Sequence, residues 1–170
     1  MPRDSQRARV YAAEDVWRAQ LDAARAGARE VAVAGSRVVL PLELIFGELD
    51  AVRAWLQRLE ADPGYAGAAA AAPIPLAVRA RRGGTKAHYE APGTIALPAP
   101  EHGTAWALRE TVVLHEVAHH VAGSPLTHGP HFTATLLRLA RLTLGPEAAF
   151  VLGVHYATAE VSVAWGRVAP

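Results

Sequence analysis

The sequence predicts an α+β domain in which a short, mostly antiparallel sheet packs against several helices. Three observations carry that prediction. Apolar residues recur at helical spacing near both ends of the chain, the segments between them alternate with a period of two, and no internal repeat or low-complexity domain interrupts the order helix, strands, helices. A chain of 170 residues, 51% hydrophobic, is long enough for one core that hides roughly two thirds of the unfolded surface.

The elements follow in order. Val10, Trp17, Leu21 and Ala24 share one helical face between Ser5 and Ala26, with Gly27 as the stop. Two β-branched runs around Ala34-Gly35-Ser36 predict a hairpin over Glu30 to Leu40. Ile45, Leu49, Val52, Leu56 and Leu59 step by fours and threes into a second helix ending near Asp62-Pro63-Gly64. Residues 63–73 are rich in alanine and broken by prolines, and are expected to be a linker between an N-terminal part, 1–62, and the remainder, 74–170, within one domain. Ile74 to Arg82 alternates as a half-buried strand, and a turn at Gly83-Gly84 follows. "KAHYEAPGTIALP" then supplies one or two strand pieces that pair back onto the strand before them. Helices over Thr104–Ala122, Pro130–Leu144 and Pro146 to about Ala159 complete the chain, with a short terminal strand over Glu160–Ala164.

Composition excludes several classes of function. With no cysteine there are no disulfides, thiolate zinc ribbons or cysteine nucleophiles, so any metal must be held by His, Asp or Glu. A net charge of +1 exerts no overall pull on nucleic acid or an acidic membrane, and Arg79, Arg81 and Arg82 form only a local cluster. The opening "MPRDSQRARVYAAEDVWRAQ" interleaves charge without an apolar secretory core, and no run reads as a membrane helix, so the expected location is cytoplasmic.

The chemistry concentrates in "VVLHEVAHHVAGSPLTHGPHF", Val112 to Phe132, which holds five of the eight histidines. His115 and His119 are four apart on a predicted helix, so both rings leave one face and can reach one ion. Glu116 points about 100° further round the axis, free to act as a base. This is the HExxH pattern of zinc hydrolases. A catalytic zinc site takes three protein ligands and keeps a position open, so a third ligand comes from elsewhere. Gly123 ends the helix and Pro130 opens the next, which returns His128 beside the first pair. His131 is the alternative one turn later, His120 faces elsewhere on the helix, and Glu147 or Glu160 could serve as a distant carboxylate ligand. Metzincin spacing does not fit, because Pro125 occupies the position six after His119.

"HEVAHH" followed by "HGPHF" resembles the HExxH and HGPxF pair of SprT-like, minigluzincin-type zinc metallopeptidases. With "RARVYAAED", "RARRG", "AHYE", "IALP" and "WALRETVVLHEVAHH", most of the chain is similar to a small bacterial family of metallohydrolase type. The resemblance implies a small zincin-like core with an edge strand beside the metal helix, a place "AHYEAPGTIALP" could fill. It also implies that the third ligand is the first histidine of HGPxF, His128, with His131 at a variable position. The absence of a zinc ribbon or basic tail means that action on DNA–protein crosslinks is not carried over.

These readings predict a zinc metallopeptidase acting on a peptide or protein substrate, with Glu116 as general base and His88, Tyr89, His155 or Tyr156 as the oxyanion donor. The competing class is a metal-containing binding or regulatory module without turnover. Glu116 separates the two, since a structural site needs no base beside its ligands. A metal-dependent endoribonuclease, which can also use three histidines, is disfavoured by Glu116 and by the near-neutral charge.

Overall fold

The computed structural model describes residues 4–69, 72, 74–81, 86–98, 105–124 and 127–164. Along the chain these form α1 (Arg7–Arg25), β1 (Glu30–Val33), β2 (Ser36–Val39), α2 (Leu49–Glu60), α3 (Pro63–Ala68), β3 (Ala77–Arg81), β4 (His88–Glu90), β5 (Thr94–Pro98), α4 (Glu110–Val121), α5 (Pro130–Thr143) and α6 (Pro146–Thr158). The α+β class holds, with two small sheets. β1 and β2 pair as an antiparallel hairpin around Ala34 and Gly35, both at positive φ. The second sheet has the order β3-β5-β4.

The expected pairing back onto β3 is made by the second of the two strand pieces. β5, not β4, lies beside β3, and it runs parallel to it, while β4 pairs antiparallel with β5 and becomes an edge. Burial supplies the reason. Ile95, Ala96 and Leu97 of β5 are fully buried, whereas His88, Tyr89 and Glu90 are all half-exposed, so the apolar strand takes the centre. The predicted turn at Gly83-Gly84 lies outside the described residues.

α4 is the central helix: every residue from Glu110 to Val121 is buried, as expected of a helix enclosed on all sides. α5 packs along it, α1 packs on α6, and β4 and β5 lie against its other flank. One continuous hydrophobic cluster joins α1, the hairpin and α2 to the sheet and the last three helices. No helix among the described residues is long and apolar enough to cross a membrane.

Two helix boundaries move for tertiary reasons. α4 starts at Glu110 rather than Thr104, because Leu108 to Glu110 pair with a strap at Leu44 to Phe46, through Phe46 N to Leu108 O (2.7 Å) and Glu110 N to Leu44 O (2.9 Å). The same strap holds Ile45 out of α2. Arg109 then anchors the junction, donating to Glu43 and Asp22, while Glu43 also accepts from the Thr111 N–H at 2.9 Å. The expected linker contains α3: Asp62 caps it by accepting from Gly64 N at 2.7 Å, and Pro63 occupies its first turn. The predicted terminal strand is absent among the described residues, where 161–164 are irregular. Ser162 N donates to Gln6 and Ala164 N to the Pro130 carbonyl.

Candidate metal centre

Each of the three clustered histidines is placed by a different local device. His115 and His119 sit one turn apart on α4. The helix closes in a Schellman turn: Gly123 takes φ +60°, its N–H donates to the His120 carbonyl, and the Ser124 N–H donates to that of His119, both at 3.1 Å. The turn brings the Ser124 carbonyl onto His119 Nδ1 at 2.6 Å. His128 precedes the Gly129 cap and the Pro130 start of α5. Its carbonyl accepts from the Gln6 amide at 2.6 Å, so the segment leading into α1 clamps the ligand loop.

The outcome is one buried cluster. His115, His119 and His128 place ligand atoms within 4.8 Å of one another and could hold a metal ion. Their ring centroids are 4.9 to 5.1 Å apart, and Phe132 packs against all three rings at 4.4 to 4.9 Å. The phenylalanine of HGPHF thus forms the floor of the site.

The outer hydrogen bonds decide which nitrogens face inwards. His115 Nδ1 lies 2.9 Å from the Glu14 carboxylate, and His128 Nδ1 lies 2.7 Å from that of Asp4. Ionised carboxylates and a carbonyl only accept, so each Nδ1 carries the proton and each Nε2 is left as a potential ligand. His115 Nε2 and His128 Nε2 stand 3.2 Å apart. A proton on one of the two rings would make this contact an N–H···N hydrogen bond, and a shared cation fits the same spacing: with zinc–nitrogen bonds of about 2.05 Å, the edge of a tetrahedral site is about 3.3 Å.

Electrostatics agrees with a site prepared for positive charge. Burial opposes the charged form of Glu14, but His115 and Arg18 outweigh it and hold the carboxyl at about 2. Burial likewise works against charge on His115, and Glu14 more than compensates, raising its pKa. Burial and the neighbouring His115 press His119 down to about 3, and burial lowers His128 despite Asp4. Burial raises the Glu116 carboxyl, although His115 pulls it back.

The other expected residues are distributed differently. His131 is exposed at the start of α5, and Glu147 and Glu160 are exposed on and beyond α6, all outside the cluster. His120 is buried on another face of α4, sharing a 3.0 Å hydrogen bond with the Tyr89 hydroxyl. His88 pairs with Glu90 at 2.8 Å, and His155 with Gln20 at 2.7 Å. Tyr156, fully buried, donates to Glu14 at 3.2 Å and so acts behind the site rather than in it. Tyr89, His155 and Tyr156 thus bond away from the cluster, whereas His88 keeps a buried Nδ1 with no hydrogen-bond partner among the described residues.

Sequence reasoning misses Glu14, Asp4 and Tyr11. Glu14 is only 1% exposed and lies on the apolar stripe of α1, between Val10 and Trp17. A carboxylate on a core stripe was the available signal, since an unpaired charge would not be tolerated there. Tyr11 stacks on the His115 ring at 5.4 Å and lines an open cleft of about 570 Å³ that also reaches His115 and Glu116. With Glu14→Gln, affinity for a metal ion at the three histidines is expected to fall by about 10- to 100-fold, because an amide fixes the imidazole less firmly and raises its basicity less. Competition with a chromophoric chelator measures this, and unchanged affinity would remove Glu14 from the site.

Comparisons with protein-family models, with curated proteins and with solved structures return no match.

Proposed function

We propose that this chain is a zinc-dependent hydrolase, a metallopeptidase that cleaves an amide bond in a peptide or protein. The observation that carries the reading is the pairing of three inward-facing imidazole nitrogens with a buried carboxylate, Glu116, that is no part of the cluster and opens onto a cleft. A structural site would close its fourth position with protein and would have no use for that carboxylate. The likeness of "HEVAHH" and "HGPHF" to the SprT-like motifs supports the same reading. A cysteine-free, all-imidazole donor set suits zinc.

Nε2 of His115, His119 and His128 would hold a zinc ion, which would supply Lewis acidity and lower the pKa of a water at neutral pH. Glu116 takes the proton from the attacking water and delivers it to the departing amine as the C–O bond forms and the C–N bond breaks. Burial keeps this carboxylate more basic than a surface one. We assign to Tyr11, which lines the cleft together with Glu116, the part of steadying the developing oxyanion. β4 is the edge strand on the side of α4, where the Tyr89 main chain adjoins the Glu116 carboxylate, and it offers an extended peptide main-chain hydrogen bonds.

The test is to purify the protein without chelator or a histidine tag, quantify bound metals, and incubate it with a diverse peptide library analysed by mass spectrometry. About one zinc per chain, with cleavage that chelator stops and zinc restores, is the expected result. One zinc without any cleavage would favour a binding module that uses the metal structurally. No zinc would overturn the reading.

A further inference from the structure

The cleft extends well past the proposed scissile position. From Tyr11 to Asp22 it follows one face of α1 for about 16 Å, at 1.5 Å per residue. That length matches about five residues of extended chain. The volume of about 570 Å³ exceeds what a single side chain fills and lies within the range of sites for sizeable ligands.

The charges along the cleft are largely spent on one another. Arg18 is paired with Glu14 at 3.2 Å and with Asp15 at 2.8 Å, and Arg109 with Asp22 at 3.0 Å as well as with Glu43. Lys86, exposed at the rim, is the one cation of the lining without an ion-pair partner among the described residues. The remaining surface is apolar and of a particular shape. Val112, Ala19 and Ala87 are small enough to leave depth, and Trp106 lines the same cleft 47% exposed. A tryptophan left half in water at the rim of a cleft is a surface for another ring, because offset or edge-on aromatic pairs add attraction beyond the area they cover.

We propose that this cleft binds the substrate chain on one side of the scissile bond and selects a bulky aromatic side chain there by packing it against Trp106. The proposal rests on the hydrolase reading and names the substrate class of that site: an extended polypeptide with an aromatic residue close to the cleaved bond. α1 is then both the outer support of His115, through Glu14, and one wall of the specificity cleft.

Three hydroxamates that share one metal-binding head test it by calorimetry on the zinc-loaded protein: acetohydroxamate, 3-phenylpropionohydroxamate and the monohydroxamate of succinic acid. The aromatic arm is expected to bind about tenfold or more tighter than acetohydroxamate in the wild type. That ratio should fall to near one in Trp106→Ala and be largely restored in Trp106→Phe, which controls for local disturbance. A ratio near one in the wild type, a ratio that survives Trp106→Ala, or tighter binding of the succinate arm would overturn the aromatic assignment and leave the hydrolase reading intact. If none of the three binds zinc-loaded protein, the metal has no open position, and the hydrolase reading falls together with the proposal.

Discussion

Glu116→Gln is expected to lower hydrolysis by about 10²- to 10⁴-fold, the usual contribution of a positioned general base, while leaving zinc content and fold in place. The substitution is close to isosteric at a position only 6% exposed, so it creates neither a cavity nor an overpacked site. On the proposed mechanism it removes the carboxylate basicity that would take the water proton, since an amide oxygen accepts a hydrogen bond but does not hold the proton. Zinc should stay because Glu116 is not among the three clustered ligand residues. The measurement is cleavage of whichever library peptide the wild type cuts fastest, at equal zinc occupancy. A variant that keeps zinc and fold and also retains wild-type rates would take the base away from Glu116 and leave the metal without a hydrolytic partner.

How much of this was legible in the sequence depends on the distance between partners. His115, Glu116 and His119 are fixed by a single helix, and His128 by a reversal only nine residues beyond His119, so local rules reach all four. Glu14 and Asp4 meet their histidines across 101 and 124 residues, where no periodicity can point. Glu14 nonetheless left a trace, as the charged member of the stripe Val10, Trp17, Leu21. The order β3-β5-β4 was hidden for a similar reason, since pairing is decided by which strand the core can bury and not by proximity in the chain. The expected linker fails differently. Taken as a breaker, Pro63 predicts a linker, yet after Asp62 a proline belongs to the first turn of a helix, the position that Pro130 takes after Gly129. The displaced starts of α2 and α4 belong to the strap at Leu44 to Phe46, whose pairing with Leu108 to Glu110 overrides helical periodicity on both sides.

The dependence of the ligand loop on distant segments makes His128 the most informative position in the protein. His128→Ala removes one of the three clustered imidazoles and also strips the Asp4 carboxylate, half of the loop's attachment to the segment before α1, of its imidazole partner at 2.7 Å. Two histidines one turn apart still chelate, but they lose the geometry that the third enforces at 3.2 Å from His115. Zinc affinity should therefore fall by more than the 10- to 100-fold typical of losing an outer partner. In elemental analysis after dialysis against a mild chelator, the expected change is from about one zinc per chain to less than about 0.1. The fold should survive, because the carbonyl of residue 128 still accepts from Gln6 and the Phe132 packing on α4 is intact, and far-ultraviolet circular dichroism checks this. His131→Ala is the matched control: an exposed imidazole outside the cluster should leave zinc unchanged. If the pattern is reversed, with zinc kept by His128→Ala and lost by His131→Ala, the third ligand is His131 and α5 must start differently from the helix described. If both variants keep zinc, the ion is held by α4 with a ligand from another element, and the proximity of the three rings reflects packing around Phe132 alone.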